Sequence, residues 1–268
     1  MTAPTVADVF DLAGPASRTV VEARLTLCAA AVDAPLDLGS YTDEELVGLD
    51  GPGGTPSAPS PWYSSLSEAE QRTALTAALR GLTARGAYRA EPVDEATGAF
   101  VFRALPDVLA LLTMRRHTDR VVVAERRGAA RCDWAVLYQQ RAGLWLVERV
   151  DHVGVHEFVL CTAEEAARAL TAWSGAHGEL PVPELDVLLD REQVAAGPQE
   201  LEPVHRCTLA VTLTRLRVGD PGAEESSGVF TGPGGCFVST AAPGGGVVYR
   251  GASPETVLAH WRDALGAS

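Results

Sequence analysis

The spacing of apolar positions changes several times along the chain, and each change predicts an element. Val6, Val9, Phe10 and Ala13 recur at helical spacing, and Gly14 and Pro15 stop that short helix. From Thr19 to Val32 the period becomes two. Val21, Ala23, Leu25, Leu27 and Ala29 alternate with Glu22, Arg24, Thr26 and Cys28, which predicts a half-buried strand. DGPGGTPSAPSP, residues 50–61, has the composition of a loop or linker. Ser67 then reads as the N-cap of a helix whose Glu70 completes a capping box, with Leu75, Ala78, Leu79 and Leu82 as the buried stripe. Gly86 supplies the left-handed position that ends it. Residues 87–105 predict two extended pieces around a turn, and Pro106 opens another helix through Asp107 to Met114.

Farther along, the chain resembles itself. RCDWAV at 131–136 and RCTLAV at 206–211 match at four of six places, an offset of 75. Each copy ends in an apolar strand that runs into a capped helix, with Thr162 and Ser253 as caps, an offset of 91. The 16-residue difference is assigned to an inserted loop, DPGAEESSGVFTGPGG, residues 220–235. The expected fold is therefore α/β in composition, of α+β type. It is a pseudo-twofold repeat of an antiparallel strand meander plus a helix, forming a central sheet flanked by helices. The expected organisation is an N-terminal strand and helical region, 1–118, followed by a duplicated strand-strand-strand-helix unit at 119–268, with copies at 119–175 and 204–268, forming one composite domain.

Composition narrows the function. The 268 residues are enough for a sizeable core, and no apolar run approaches the roughly 20 residues of a membrane span. The N-terminus lacks the basic start and apolar centre of a signal peptide, so a cytoplasmic location is expected. A net charge of −13 repels phosphate backbones and anionic lipid, so neither nucleic acid nor membrane insertion is expected. All 22 basic residues are arginine, which removes every mechanism built on a phosphate-binding or Schiff-base lysine. The five cysteines, Cys28, Cys132, Cys161, Cys207 and Cys236, form no CxxC pair and read as reduced thiols.

Several stretches invite chemistry, and each has a plainer reading. The glycine runs GPGGC and PGGGV border strands, which suits turns better than a phosphate cradle. Cys236 and His260 could form a nucleophile and base, but Cys236 is expected to begin a strand as a buried thiol and His260 to sit on a helix face. His152 and His156 would share a face of a strand entered through Gly154, leaving a two-histidine metal site open. The helix from Ser67 to Arg85 and the extended pieces after it also resemble a winged helix with its wing. Arg72, Arg80, Arg85 and Arg89 would then contact phosphate, although Glu68, Glu70, Glu91, Asp94 and Glu95 share the element.

Taken together, the order of elements resembles the ESX (type VII) secretion-associated chaperone family, the EspG family of actinobacteria. The resemblance rests on SLSEAEQRTALTAALRGLTARGAYR as its long helix, ALPDVLALL as its short helix, and RVVVAERRGAARCDWAVLYQQRAGLWLVERV as its strand meander. GCFVSTAAPGGGVVYRGASPETVLAHWRDAL would be the closing strands and helix, and TVVEARLTLCAAAV the N-terminal strand. The resemblance covers roughly residues 19–268. It implies a pseudo-symmetric α/β fold and a cytosolic, non-enzymatic chaperone with no cofactor or metal. Its partner would be a helical export substrate of PE–PPE or WXG-like kind, whose exposed apolar tip needs an apolar receiving surface. No family binding motif maps onto numbered residues here; residues 50–61 and 220–235 are contact regions only on the argument that long loops carry function. The alternatives are a winged-helix regulator with an α/β sensor half, and a Cys/His or metal-dependent enzyme using Cys236, His260, His152 or His156.

Overall fold

The computed structural model describes residues 15–50, 58–94, 99–217 and 220–267. The first half contains α1 (Pro15–Ala30), β1 (Leu36–Thr42), α2 (Asp43–Asp50), α3 (Pro61–Ser65), α4 (Glu68–Ala84), β2 (Tyr88–Asp94), β3 (Ala99–Ala104) and α5 (Pro106–Arg116). The second contains β4 (Arg120–Arg127), β5 (Cys132–Arg141), β6 (Leu144–Val150), β7 (Val155–Thr162) and α6 (Ala163–Trp173). It continues with β8 (Asp186–Leu189), α7 (Arg191–Ala196), α8 (Glu202–His205), β9 (Leu209–Arg217), β10 (Asp220–Gly232), β11 (Gly235–Ala241), β12 (Val247–Ala252) and α9 (Pro254–Leu265). The fold is mixed α+β. Ten strands form one antiparallel sheet in the order β1-β7-β6-β5-β4-β9-β10-β11-β12-β8, and β2 pairs with β3 in a separate hairpin.

That order is a mirror about the β4–β9 pair, which runs antiparallel from Arg120 opposite Arg217 to Arg127 opposite Ala210. On each side four strands lead outward in sequence and end in a capped helix, a repeat with one strand more than the three expected. Its register differs from the one read in the sequence. The two-residue turns at Ala142–Gly143 and Pro233–Gly234 and the caps Thr162 and Ser253 all correspond at an offset of 91. RCDWAV opens β5, the second strand of its half, whereas RCTLAV leads into β9, the first strand of its half. The match at offset 75 is thus a coincidence in a chain rich in alanine, valine and arginine. Residues 220–235 are no inserted loop: Asp220–Gly232 is β10, paired with β9 and β11.

The N-terminal strand expected at 19–32 is also overturned, because this stretch is α1. Val20, Ala23, Arg24, Leu27, Cys28 and Ala31, at i, i+3, i+4, i+7, i+8 and i+11, are its less exposed positions, and α1 packs against α5. Alanine, leucine, arginine and glutamate favour a helix, and a short alternating run fits one as well as a strand. The resemblance therefore loses one of its quoted segments. The helix expected at 6–13 and most of the 50–61 loop lie outside the described residues, and Pro61 already belongs to α3.

Local signals elsewhere were sufficient. Glu70 accepts hydrogen bonds from the Ser67 backbone N–H at 2.8 Å and from the Ser67 hydroxyl at 2.5 Å, and Gly86 takes φ +75° after α4. Thr162 and Glu165 form a capping box, and Ser253 accepts from the Thr256 N–H with Pro254 opening α9. Trp261 is fully buried. By Cα proximity the chain divides into two compact units, Met1–His117 with Glu148–Leu160, and Thr118–Val147 with Cys161–Ser268. In the second unit α6 packs beside α9, where Arg262 grips Glu164 with two hydrogen bonds. No helix among the described residues is long and apolar enough to cross a membrane.

Candidate functional site

The most unusual chemistry in the chain is a row of buried charges within the first unit. β1 runs straight into α2, so Asp43 stands at the first helical position, where the free N–H groups of a helix favour an acid. Its own N–H donates to the Gly154 carbonyl at 2.9 Å, and its Oδ2 accepts from the Tyr63 N–H at 2.9 Å. One residue thus joins α2, α3 and the turn before β7, through its carboxylate and its backbone N–H.

Asp43 Oδ1 is 2.7 Å from His156 Nε2, and His156 Nδ1 is 2.7 Å from Glu148 Oε1. Glu148 receives a fork of two 3.0 Å bonds from Arg115, whose third nitrogen donates to Asp50 Oδ2 at 2.9 Å. Arg116 closes the row on the Asp50 side chain and carbonyl, at 2.8 and 2.7 Å. Arg115 also stacks over the Phe158 ring, 5.8 Å from its centre. Asp43 and Glu148 have no exposed surface, His156 is 1% exposed and Arg115 5%. Burial on this scale is tolerated only when every charge is paired, and here three acids alternate with three bases.

His156 is the pivot. With a carboxylate at each ring nitrogen, both nitrogens act as donors, which is the imidazolium form. Burial alone would drive the ring toward neutrality; the hydrogen bonds and charges of Asp43 and Glu148 outweigh it and raise the pKa above 6.5. For Glu148, burial pushes upward, but the Arg115 charge and the His156 hydrogen bond hold it at about 2. A raised base stabilises fully below its unfolded value near 6.5 and loses that contribution as pH climbs through the folded value. A depressed acid stabilises above 4.5 and loses its contribution as pH falls toward 2. Unfolding followed from pH 4 to 9 is expected to show greatest support from this row between about 4.5 and 6.5, with an alkaline decline that His156→Gln flattens.

The row also shapes the surface above it. Trp62, 39% exposed, begins the turn of α3 that Asp43 holds, and Val153, 54% exposed, precedes Gly154. Gly154 has φ +81°, and a Cβ there would come within 2.9 Å of Trp62 Cβ and 2.6 Å of Asp43 Oδ2. Only glycine lets the β6–β7 turn approach this closely. Trp62 and Val153 are thus both exposed next to a backbone contact anchored by Asp43. The charged groups beneath it are engaged with one another.

The residues singled out in the sequence fall elsewhere or take other partners. His152 is exposed in the turn while His156 is buried between carboxylates, so the two do not share a strand face. Among the described residues no group of three His, Cys, Asp or Glu side chains could hold a metal ion. Cys236 is fully buried in β11, its pKa raised by burial, and sits opposite Thr231 of β10. His260 instead shares a 3.1 Å hydrogen bond with Ser227, four residues or about 13 Å along the same strand, so Cys236 and His260 are not a pair. Both glycine runs are hairpin turns. Of the arginines required by a DNA-binding reading, Arg85 bonds Glu45 at 2.8 Å and stacks over Tyr41, and Arg72 pairs with Glu68; Arg80 and Arg89 are exposed.

Asp43, Asp50, Arg115, Arg116 and Glu148 carry no sequence signal as a group, since apart from Glu148 and His156, which are 8 residues apart, the pairs of the row lie 33 to 113 residues apart along the chain. The acidic start of α2 and the paired arginines ending α5 were the only local hints. In comparisons with known proteins, no family model matches this chain and no curated protein matches it.

Proposed function

We propose that the chain is a non-enzymatic adaptor of the kind found in the ESX secretion-associated chaperone family, acting in the cytoplasm on a helical export substrate of PE–PPE or WXG-like type. The observation that carries this reading is the Trp62 and Val153 pair, exposed on a turn and a short helix that Asp43 and Gly154 lock together. Tryptophan is the side chain most often found at the energetic centre of a protein interface, and a fixed backbone reduces the ordering cost of docking. The mirrored meander and capped helices agree with the family's pseudo-symmetric layout, and the net charge of −13 disfavours a nucleic-acid partner.

Affinity purification of the tagged chain from its native cells is the test. A small helical export protein is expected to accompany the wild-type chain, and Trp62→Ala is expected to reduce its recovery by at least about tenfold. Purification of the wild-type chain without such a protein would remove the reading.

A further inference from the structure

Helix α1 carries two apolar stripes, and α5 covers only one of them. The other consists of Val21, Leu25 and Ala29, and Val32 continues it in the turn that follows the helix; Val21, Leu25 and Val32 are exposed by 50%, 64% and 49%. At 100° per residue Val21, Leu25 and Ala29 fall within about 80° of one another, a strip along the outer side of the helix that leads into Val32. It is the largest run of exposed aliphatic side chains on any one helix among the described residues.

The ends of the strip carry opposite charges. Arg18 lies on the same side at the N-terminal end, and Asp33 follows Val32 at the other; both are exposed. The Val32 and Asp33 N–H groups bond back to the Ala29 and Ala30 carbonyls, so the chain keeps turning through this end. Neither Arg18 nor Asp33 has an ion-pair partner among the described residues.

We propose that this strip is a self-association surface, on which α1 packs antiparallel against α1 of a second copy of the chain. A positive end and a negative end separated by an apolar centre form a self-complementary pattern, as a twofold interface requires. With the axis beside Leu25, Leu25 meets its own copy, Val21 meets Ala29, and Arg18 reaches Asp33. The charged ends lie about 22 Å apart along the helix, so the shallow crossing of about 20° common in helix bundles keeps both ion pairs in reach. Two copies at −13 each repel one another, but at physiological salt the screening length of about 8 Å damps that field more than it damps the end-to-end contacts.

Sedimentation equilibrium of the full chain at physiological salt reads the association. The wild type is expected to rise with concentration from 28.2 kDa toward twice that mass. Leu25→Asp is expected to abolish the rise. Arg18→Asp and Asp33→Arg each place like charges together and are expected to weaken self-association by about tenfold, whereas a mixture of these two variants restores one full set of opposite pairs and associates. Two results overturn the proposal: a wild type that stays at 28.2 kDa throughout, which would assign the strip to residues 1–14 or to a foreign helix, or a mixture no more associated than its components.

Discussion

Replacing Glu148 with alanine will lower the stability of the chain by about 3–5 kcal/mol, a fall in melting temperature of about 10 °C. The effect is large because the loss is not confined to one contact. Glu148 neutralises Arg115 on one side and His156 on the other, both buried, and its removal strands positive charge away from the protein surface. Arg115 keeps Asp50, and His156 keeps Asp43, but each of those acids then faces a base whose second partner is gone. The double variant Arg115→Met with Glu148→Leu removes one charge of each sign and leaves the Asp43–His156 and Asp50–Arg116 pairs intact. It is expected to be more stable than Glu148→Ala alone, because an apolar pair replaces a buried ion pair at little cost. Denaturant unfolding of the two variants side by side checks both expectations; a double variant at least as unstable as the single one would mean that packing around Glu148, rather than charge pairing, dominates.

Gly154→Val is the second expected lesion, at about 2–4 kcal/mol, and it reaches the surface as well as the core. The residue stands at φ +81°, where a β-branched side chain is strained, and its Cβ would come within 2.6 Å of Asp43 Oδ2 and 2.9 Å of Trp62 Cβ. The turn must retreat, which pulls the Gly154 carbonyl from the Asp43 N–H and frees α3 from its anchor. Unfolding reads the stability change, and Trp62 fluorescence reads the displacement beside it. Gly39, also at positive φ, has open space around its missing Cβ, so Gly39→Ala serves as the conformational control and is expected to cost less.

These two sites show where sequence reading succeeds and where it stops. The capping box at Ser67 and Glu70, the left-handed Gly86, the caps Thr162 and Ser253 and the glycine hairpins were all legible, because each is decided by atoms within a few residues. The mirrored repeat was legible as an architecture but not in its register, since a match at four of six places in a biased composition outweighed the cap and turn spacing. α1 was misread because apolar residues on both of its faces also fall into an alternating pattern over so short a span, Ala23 and Leu27 belonging to both patterns. The charge row was invisible as a unit. His156 drew notice only as a partner for His152, whereas its true partners come from α2 and β6. Long-range pairing of common residue types leaves no pattern in a single sequence.

The central claim is that the Trp62 and Val153 surface receives a helical partner. It is tested most directly by the affinity of the co-purified protein for the wild-type chain, for Trp62→Ala/Val153→Asp, and for Leu188→Asp, which alters a more exposed apolar side chain in the other unit. The account predicts binding at least about tenfold weaker for the double variant, with Leu188→Asp indistinguishable from wild type and both variants folded by circular dichroism. Equal affinity for the folded double variant and the wild type would contradict it.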